Sequence, residues 1–198
     1  MKKTQWIVLL SLLIIAFTAA GQTDYREFYS KSITVNNTGM YVLGAWAVLN
    51  IATGAAGWAT GSGTTKYFHQ MNLFWNTVNL SIAGIALISN ARIDPLELSP
   101  EQMLEKHTQM ERLYLINAGL DVLYIGTGFL LKHFSHQSTK RHDLLQGYGN
   151  SMILQGGFLL LFDAIMYSIQ HAHRMQFLQV SNMSFNIGFN SFRMTLIL

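Results

Sequence analysis

The sequence predicts an all-α membrane protein, a bundle of four transmembrane helices with a short C-terminal β-hairpin-like tail. Three observations carry this prediction. Charged residues make up 12% of the 198-residue chain, about half the roughly 25% usual in soluble domains. The deficit falls in blocks: residues 32–65 and 67–91 contain no Asp, Glu, Lys or Arg, 113–131 contain only Asp121, and 144–173 contain only Asp163. Each block is also long enough to supply the roughly 17–25 residues that cross a bilayer. A soluble helix needs a polar, charged face; these segments have none, so their outer faces must meet lipid.

The N-terminus carries Lys2 and Lys3, an apolar run from Trp6 to Phe17, and the small residues Ala19, Ala20 and Gly21. That order of charged, apolar and small residues predicts a secretory signal over 1–21, followed by an extracytoplasmic segment over 22–37. Within a transmembrane domain over 38–173, spans are expected near Thr38–Thr60, Phe68–Asn90, Leu113–Lys132 and Tyr148–His171. Ser99-Pro100-Glu101-Gln102 combines an N-cap, a proline at the first helical position and a capping-box partner. The third helix should therefore start there, with Glu101, Glu105, Lys106 and Glu111 projecting above the membrane. In the tail, 174–198, the apolar period changes to two. Pairing Phe189 with Phe192 across Asn190-Ser191 sets Ile187 opposite Met194, Phe185 opposite Leu196 and Met183 opposite Leu198.

An N-terminus outside the cytoplasm puts the tips of both helical hairpins, 61–66 and 133–143, on the inner side. The second carries Lys132, Lys140 and Arg141, in keeping with the positive-inside tendency. The reading is a bacterial inner-membrane protein with both termini extracytoplasmic. The lipid bilayer is the expected partner, together with a homo-oligomer or a membrane partner protein. No Lys/Arg run interleaved with aromatics points to nucleic acid, and the absence of cysteine removes disulfides and thiol chemistry.

A shift of 74 residues aligns Val48–Gly54 with Val122–Gly128 at five identities in seven, and Thr65-Lys66 with Thr139-Lys140. Two parallel helical-hairpin repeats follow if this is a duplication.

Chemistry is expected inside the bundle. On the second helix His69, Asn72, Asn76, Asn79 and Asn90 recur on one narrow face, and the third carries Tyr114, Asn117, Asp121, Tyr124 and Gly128 on the same spacing. Polar groups in hydrocarbon need partners, so the two stripes should face each other. Asp121 and Asp163 fall at one depth in the outer leaflet, where like-charge repulsion would leave a proton shared or a cation bound between them. Asn50, Asn79, Asn76, Gln155, Asn72 and His69 continue inward. Read functionally this is a polar track for a small cation or polar solute; read structurally, the amides are interhelical hydrogen-bond glue. At the outer end His107, Glu111, His171 and His173 are the residues that a metal site would use, although nothing in the sequence fixes their distances. No catalytic constellation or cofactor motif is present.

Lys66–Asn72, Trp75–Leu80, Asn117–Val122 and Leu154–Phe158 followed by Phe162-Asp163 resemble a family of short bacterial membrane proteins of unknown function. The resemblance covers roughly Met40 to Tyr167 and is most specific from His69 to Asn79. It implies a multi-span helical protein and carries no activity. Two functions remain: binding or passage of a small cation or polar solute through the polar interior, and a non-catalytic scaffold or accessory subunit that recruits a partner through its tail.

Overall fold

The computed structural model describes the backbone of Lys2–Ser181 and of two strands, Ser184–Gly188 and Ser191–Thr195, with side chains described for residues 25–179. Four helices carry the fold: α1 (Lys2–Thr60), α2 (Gly63–Ala91), α3 (Pro100–Ser135) and α4 (His142–Ser181). Each is long and apolar enough to cross a membrane. Large apolar side chains such as Leu49, Ile85, Leu123 and Leu161 are exposed along their outer faces, which is the pattern that lipid contact requires.

The helices exceed the expected spans. The 36 residues of α3 make a rod of about 54 Å at about 1.5 Å per residue, well beyond a hydrocarbon core of about 30 Å. Its start is the expected one: Gln102 donates its backbone N–H to Ser99 Oγ at 3.3 Å, and Ser99 donates its own to Gln102 Oε1 at 2.9 Å. The stretch expected as a separate N-terminal segment, 22–37, is instead a continuation of α1. Phe28 and Tyr29 are buried with Met103 of α3, and Phe28 stacks on His173 and Phe177 of α4. Apolar and aromatic residues here find partners on the extended ends of α3 and α4, so the helix has no reason to stop at the membrane surface.

The α1–α2 and α3–α4 hairpins are the two most closely packed pairs. Gly63, at φ +53°, makes the tight link between α1 and α2, in a region of backbone space where a side chain is strained. Beside it Thr64 donates to Asp143 Oδ1 at 2.8 Å, which ties the two hairpin tips together.

The polar stripes of α2 and α3 come together only partway along the bundle, where Asn79, Tyr114, Asn117, Asp121 and Tyr124 line one cavity; toward the hairpin tips α4 packs against both helices. A Cβ on Gly147 would lie 2.6 Å from Thr64 O and 2.7 Å from Phe68 N of α2, and one on Gly149 would lie 2.6 Å from Gly128 O of α3. These glycines let α4 approach both neighbours at backbone distance.

In the tail the two strands pair antiparallel with Phe185 opposite Met194 and Ile187 opposite Phe192. The centre of the pairing thus lies one residue earlier than expected, and Gly188 pairs with Ser191. Glycine closes the ladder where Phe189 was expected to. The expected pair between Met183 and Leu198, and residues 189 and 190, lie outside the described residues.

Candidate functional site

The interior divides into three polar layers; the one beside the start of α3 is labelled outer and the one toward the two hairpin tips inner, after the orientation expected from the sequence. At the outer end, Glu111 is buried and its carboxylate accepts from Arg174 Nε at 2.7 Å, Arg174 Nη2 at 3.0 Å and His171 Nδ1 at 2.6 Å. Glu111, expected to project above the membrane before the third span begins, is covered there by its neighbours on α3 and α4. His107 is fully buried, with Nε2 at 3.1 Å from the Gln170 carbonyl and Nδ1 at 2.7 Å from Ser32 Oγ. A carbonyl only accepts, so Nε2 carries the proton, and in the neutral ring Nδ1, at 2.7 Å, competes with the Phe28 carbonyl, at 3.1 Å, for the single hydroxyl proton of Ser32. His173 Nε2 lies 3.0 Å from the Phe28 carbonyl.

The four residues considered for a metal are therefore gathered at one end: Glu111 and His171 bond to each other, while His107 and His173 are taken up by backbone carbonyls. Glu111 faces a guanidinium, and no group of three His, Cys, Asp or Glu able to hold a metal occurs among the described residues. The pairing of Ser32 with His107 escaped the sequence reading because 75 residues separate them. Both are fully buried, and neither cavity described below reaches them.

At the inner end, amides close on one another. Gln155 donates to Asn50 Oδ1 at 3.1 Å and to Asn72 Oδ1 at 2.9 Å, and accepts from Trp46 Nε1 at 2.9 Å. Ser151 adds a 2.6 Å bond to Asn72 Oδ1. Asn76 donates to the Asn72 carbonyl at 2.9 Å and accepts from Asn79 at 3.4 Å. The ring of His69 packs on α1, where a Cβ at Gly57 would fall 2.2 Å from it, and its Nδ1 is buried without a partner.

Between these layers lies a cavity of about 310 Å³ to which all four helices contribute. Asp121, 2% exposed, and Asp163, 5% exposed, both line it. Asn79 and Asn117 also line it; Asn50, His69, Asn72, Asn76 and Gln155 do not. Aromatic walls are supplied by Trp75 and Tyr124, in edge contact at 4.7 Å, and by Tyr114 and Phe162 at 6.3 Å. No basic residue is among the lining. Asp121 Oδ2 and the Trp75 indole nitrogen are buried there with no hydrogen-bond partner. Trp75 follows Asn72 by three residues, so helical spacing alone puts it beside the asparagine stripe; the missing signal was its polar edge, which reads as core.

A larger apolar groove, about 540 Å³, runs between α1 and α4 along Val35, Gly39, Val42, Phe158, Phe162 and Met166. It offers almost nothing polar beyond Thr34 and Thr38.

No curated protein and no solved structure matches the chain. A family model does, over residues 42–164, a stretch that includes Trp75, Asn79, Asp121 and Asp163: the chain belongs to DUF6992, a family of unknown function.

Proposed function

We propose that this is an integral membrane protein of the bacterial inner membrane, oriented with both termini outside, that binds a small cation or polar solute between Asp121 and Asp163. One observation carries the reading: a buried carboxylate oxygen, Asp121 Oδ2, has no partner although it lines a cavity beside a second carboxylate. Burying an unpaired carboxylate in hydrocarbon is costly, and no basic residue of the lining balances the pair. A bound cation or a retained proton does.

Binding is favoured over passage by the inner layer. Asn72, Asn76, Gln155 and Ser151 are buried and bonded mainly to one another and to Trp46 and Asn50, so they act as glue and not as a hydrated path. That same layer favours a second reading, a scaffold whose amides only hold the helices while the tail recruits a partner or a second copy.

The test is binding of potassium, sodium and ethylammonium to the protein in neutral lipid nanodiscs, with the near-isosteric Asp121→Asn and Asp163→Asn variants alongside. Saturable binding that either substitution weakens at least tenfold is expected, since a charge-assisted bond is worth about 1.5–3 kcal/mol. Unchanged binding in both variants, or none in the parent, sinks the carboxylate site. Co-purification of a partner that depends on residues 183–198 then supports the scaffold.

A further inference from the structure

The Asp121–Asp163 cavity is closed along the helix axes and open to the side. Toward the outer end Tyr114 donates its hydroxyl to buried Asn36, and beyond that layer Ser32, His107 and Gln170 are fully buried. Toward the inner end the bonded Asn72, Asn76, Gln155 and Ser151 fill the bundle. The remaining rim consists of Val78 and Ile82 of α2 and Asn117 and Leu120 of α3, all exposed. It lies where two consecutive helices scarcely touch. Val78, Ile82 and Leu120 are exposed apolar residues within stretches, 67–91 and 113–120, that carry no charged side chain, so this rim faces hydrocarbon and not water.

We infer that the occupant is an amphiphilic ammonium ion, a protonated amine on an apolar chain, which enters from the lipid between α2 and α3 with its head on the two carboxylates. This rests on the binding reading above and names its ligand class. The choice of an organic cation rests on the walls and the size of the cavity, since its oxygens, those of Asp121, Asp163, Asn79, Asn117 and Tyr124, would also serve a hard metal ion.

The walls suit an organic head group. Trp75, Tyr114, Tyr124 and Phe162 present ring faces and edges around the carboxylates, and aromatic faces attract ammonium groups. A volume of about 310 Å³ is at the small end of organic-ligand pockets and far larger than a dehydrated ion needs. Asn117 contributes a polar group at mid-helix on an otherwise apolar rim, placed to hydrogen-bond a head group as it passes. The chain of the ligand stays among lipid tails, so recognition falls on the head.

The experiment measures decylammonium binding to the full chain in neutral nanodiscs, with amounts expressed per lipid to remove partitioning. Decanol and ethylammonium serve as comparison ligands, and Asp163→Asn and Leu120→Trp as variants. Decylammonium should bind saturably and at least tenfold more tightly than decanol, which has the same chain without the charge. Asp163→Asn should abolish that preference, and Leu120→Trp, which narrows the rim, should weaken decylammonium binding at least tenfold without weakening ethylammonium binding. Decylammonium binding no better than decanol, or indifferent to Leu120→Trp, overturns the inference. If ethylammonium or potassium binds in an Asp163-dependent way while decylammonium does not, the carboxylate site stands and the lipid-side ligand falls. Loss of carboxylate dependence for every cation removes both. Should Asp163→Asn fail to fold, the decanol comparison and Leu120→Trp still decide.

Discussion

Arg174→Met tests how much of the bundle's stability resides in the outer cluster. The substitution keeps the apolar stem of the side chain and removes the two guanidinium bonds to Glu111, at 2.7 and 3.0 Å. Glu111, only 5% exposed, is left with His171 Nδ1 at 2.6 Å and His107 Nε2 at 3.9 Å. His107 already gives its Nε2 proton to the Gln170 carbonyl, so it cannot take over. Breaking a buried ion pair from one side costs about 3–5 kcal/mol. The side chains of Arg174 and His171 are 23% and 42% exposed, so water reaches part of the cluster and the expectation is about 3 kcal/mol, the low end of that range.

Replacing both partners, Glu111→Leu with Arg174→Met, removes the stranded charge and should be less destabilising than Arg174→Met alone. Reversible unfolding in mixed micelles of mild detergent and dodecyl sulfate, followed by helicity, measures the parent, both single variants and the double variant. A loss below about 1 kcal/mol for Arg174→Met, the level of a surface pair, refutes the reasoning. So would a double variant that costs as much as the two single changes together.

Three further outcomes are expected. Gly147→Ala should loosen the α2–α4 contact and cost more than about 2 kcal/mol by overpacking, because its Cβ meets backbone atoms at 2.6 and 2.7 Å; Gly119→Ala, which meets nothing within 4 Å, should be neutral or slightly stabilising in the same unfolding assay. Single cysteines at Asn72 and Asn76 should resist a small, membrane-impermeant thiol reagent, whereas cysteines at Asn117 and Leu120 should react with a lipid-soluble one; aqueous labelling as deep as Asn72 contradicts the dry inner layer. Ser99→Ala should destabilise the protein by about 1 kcal/mol through loss of the N-cap, and amide exchange at the start of α3 should rise while exchange near Asp121 stays unchanged.

Local features of the site were legible in the chain. The repeat of Asn72, Asn76 and Asn79 at helical spacing placed them on one face, and that face is the buried one. Counting rise per residue put Asp121 and Asp163 at one depth, and they line one cavity. Partners across helices were not legible. Glu111 reads as a solvated charge until Arg174 and His171, some 60 residues on, are seen beside it. Ser32 and Gln170 carry no local mark at all, since each is an ordinary residue type for a packed helix.

What the sequence determined by itself is the solvent and the secondary structure. Runs without charge can be satisfied only by lipid, a backbone in lipid can be satisfied only by itself, and helices of this length result. The Ser99 capping box is equally local and forms as written. The order of helices around the bundle was decided in three dimensions. Every helix here is apolar on its outer face, so hydrophobicity cannot choose neighbours. The choice falls to backbone approach at Gly147 and Gly149 and to amide pairs such as Gln155 with Asn72. That choice packs α4 against both α2 and α3. The opening beside Asp121 and Asp163 is a consequence of that placement, which no stretch of sequence encodes on its own.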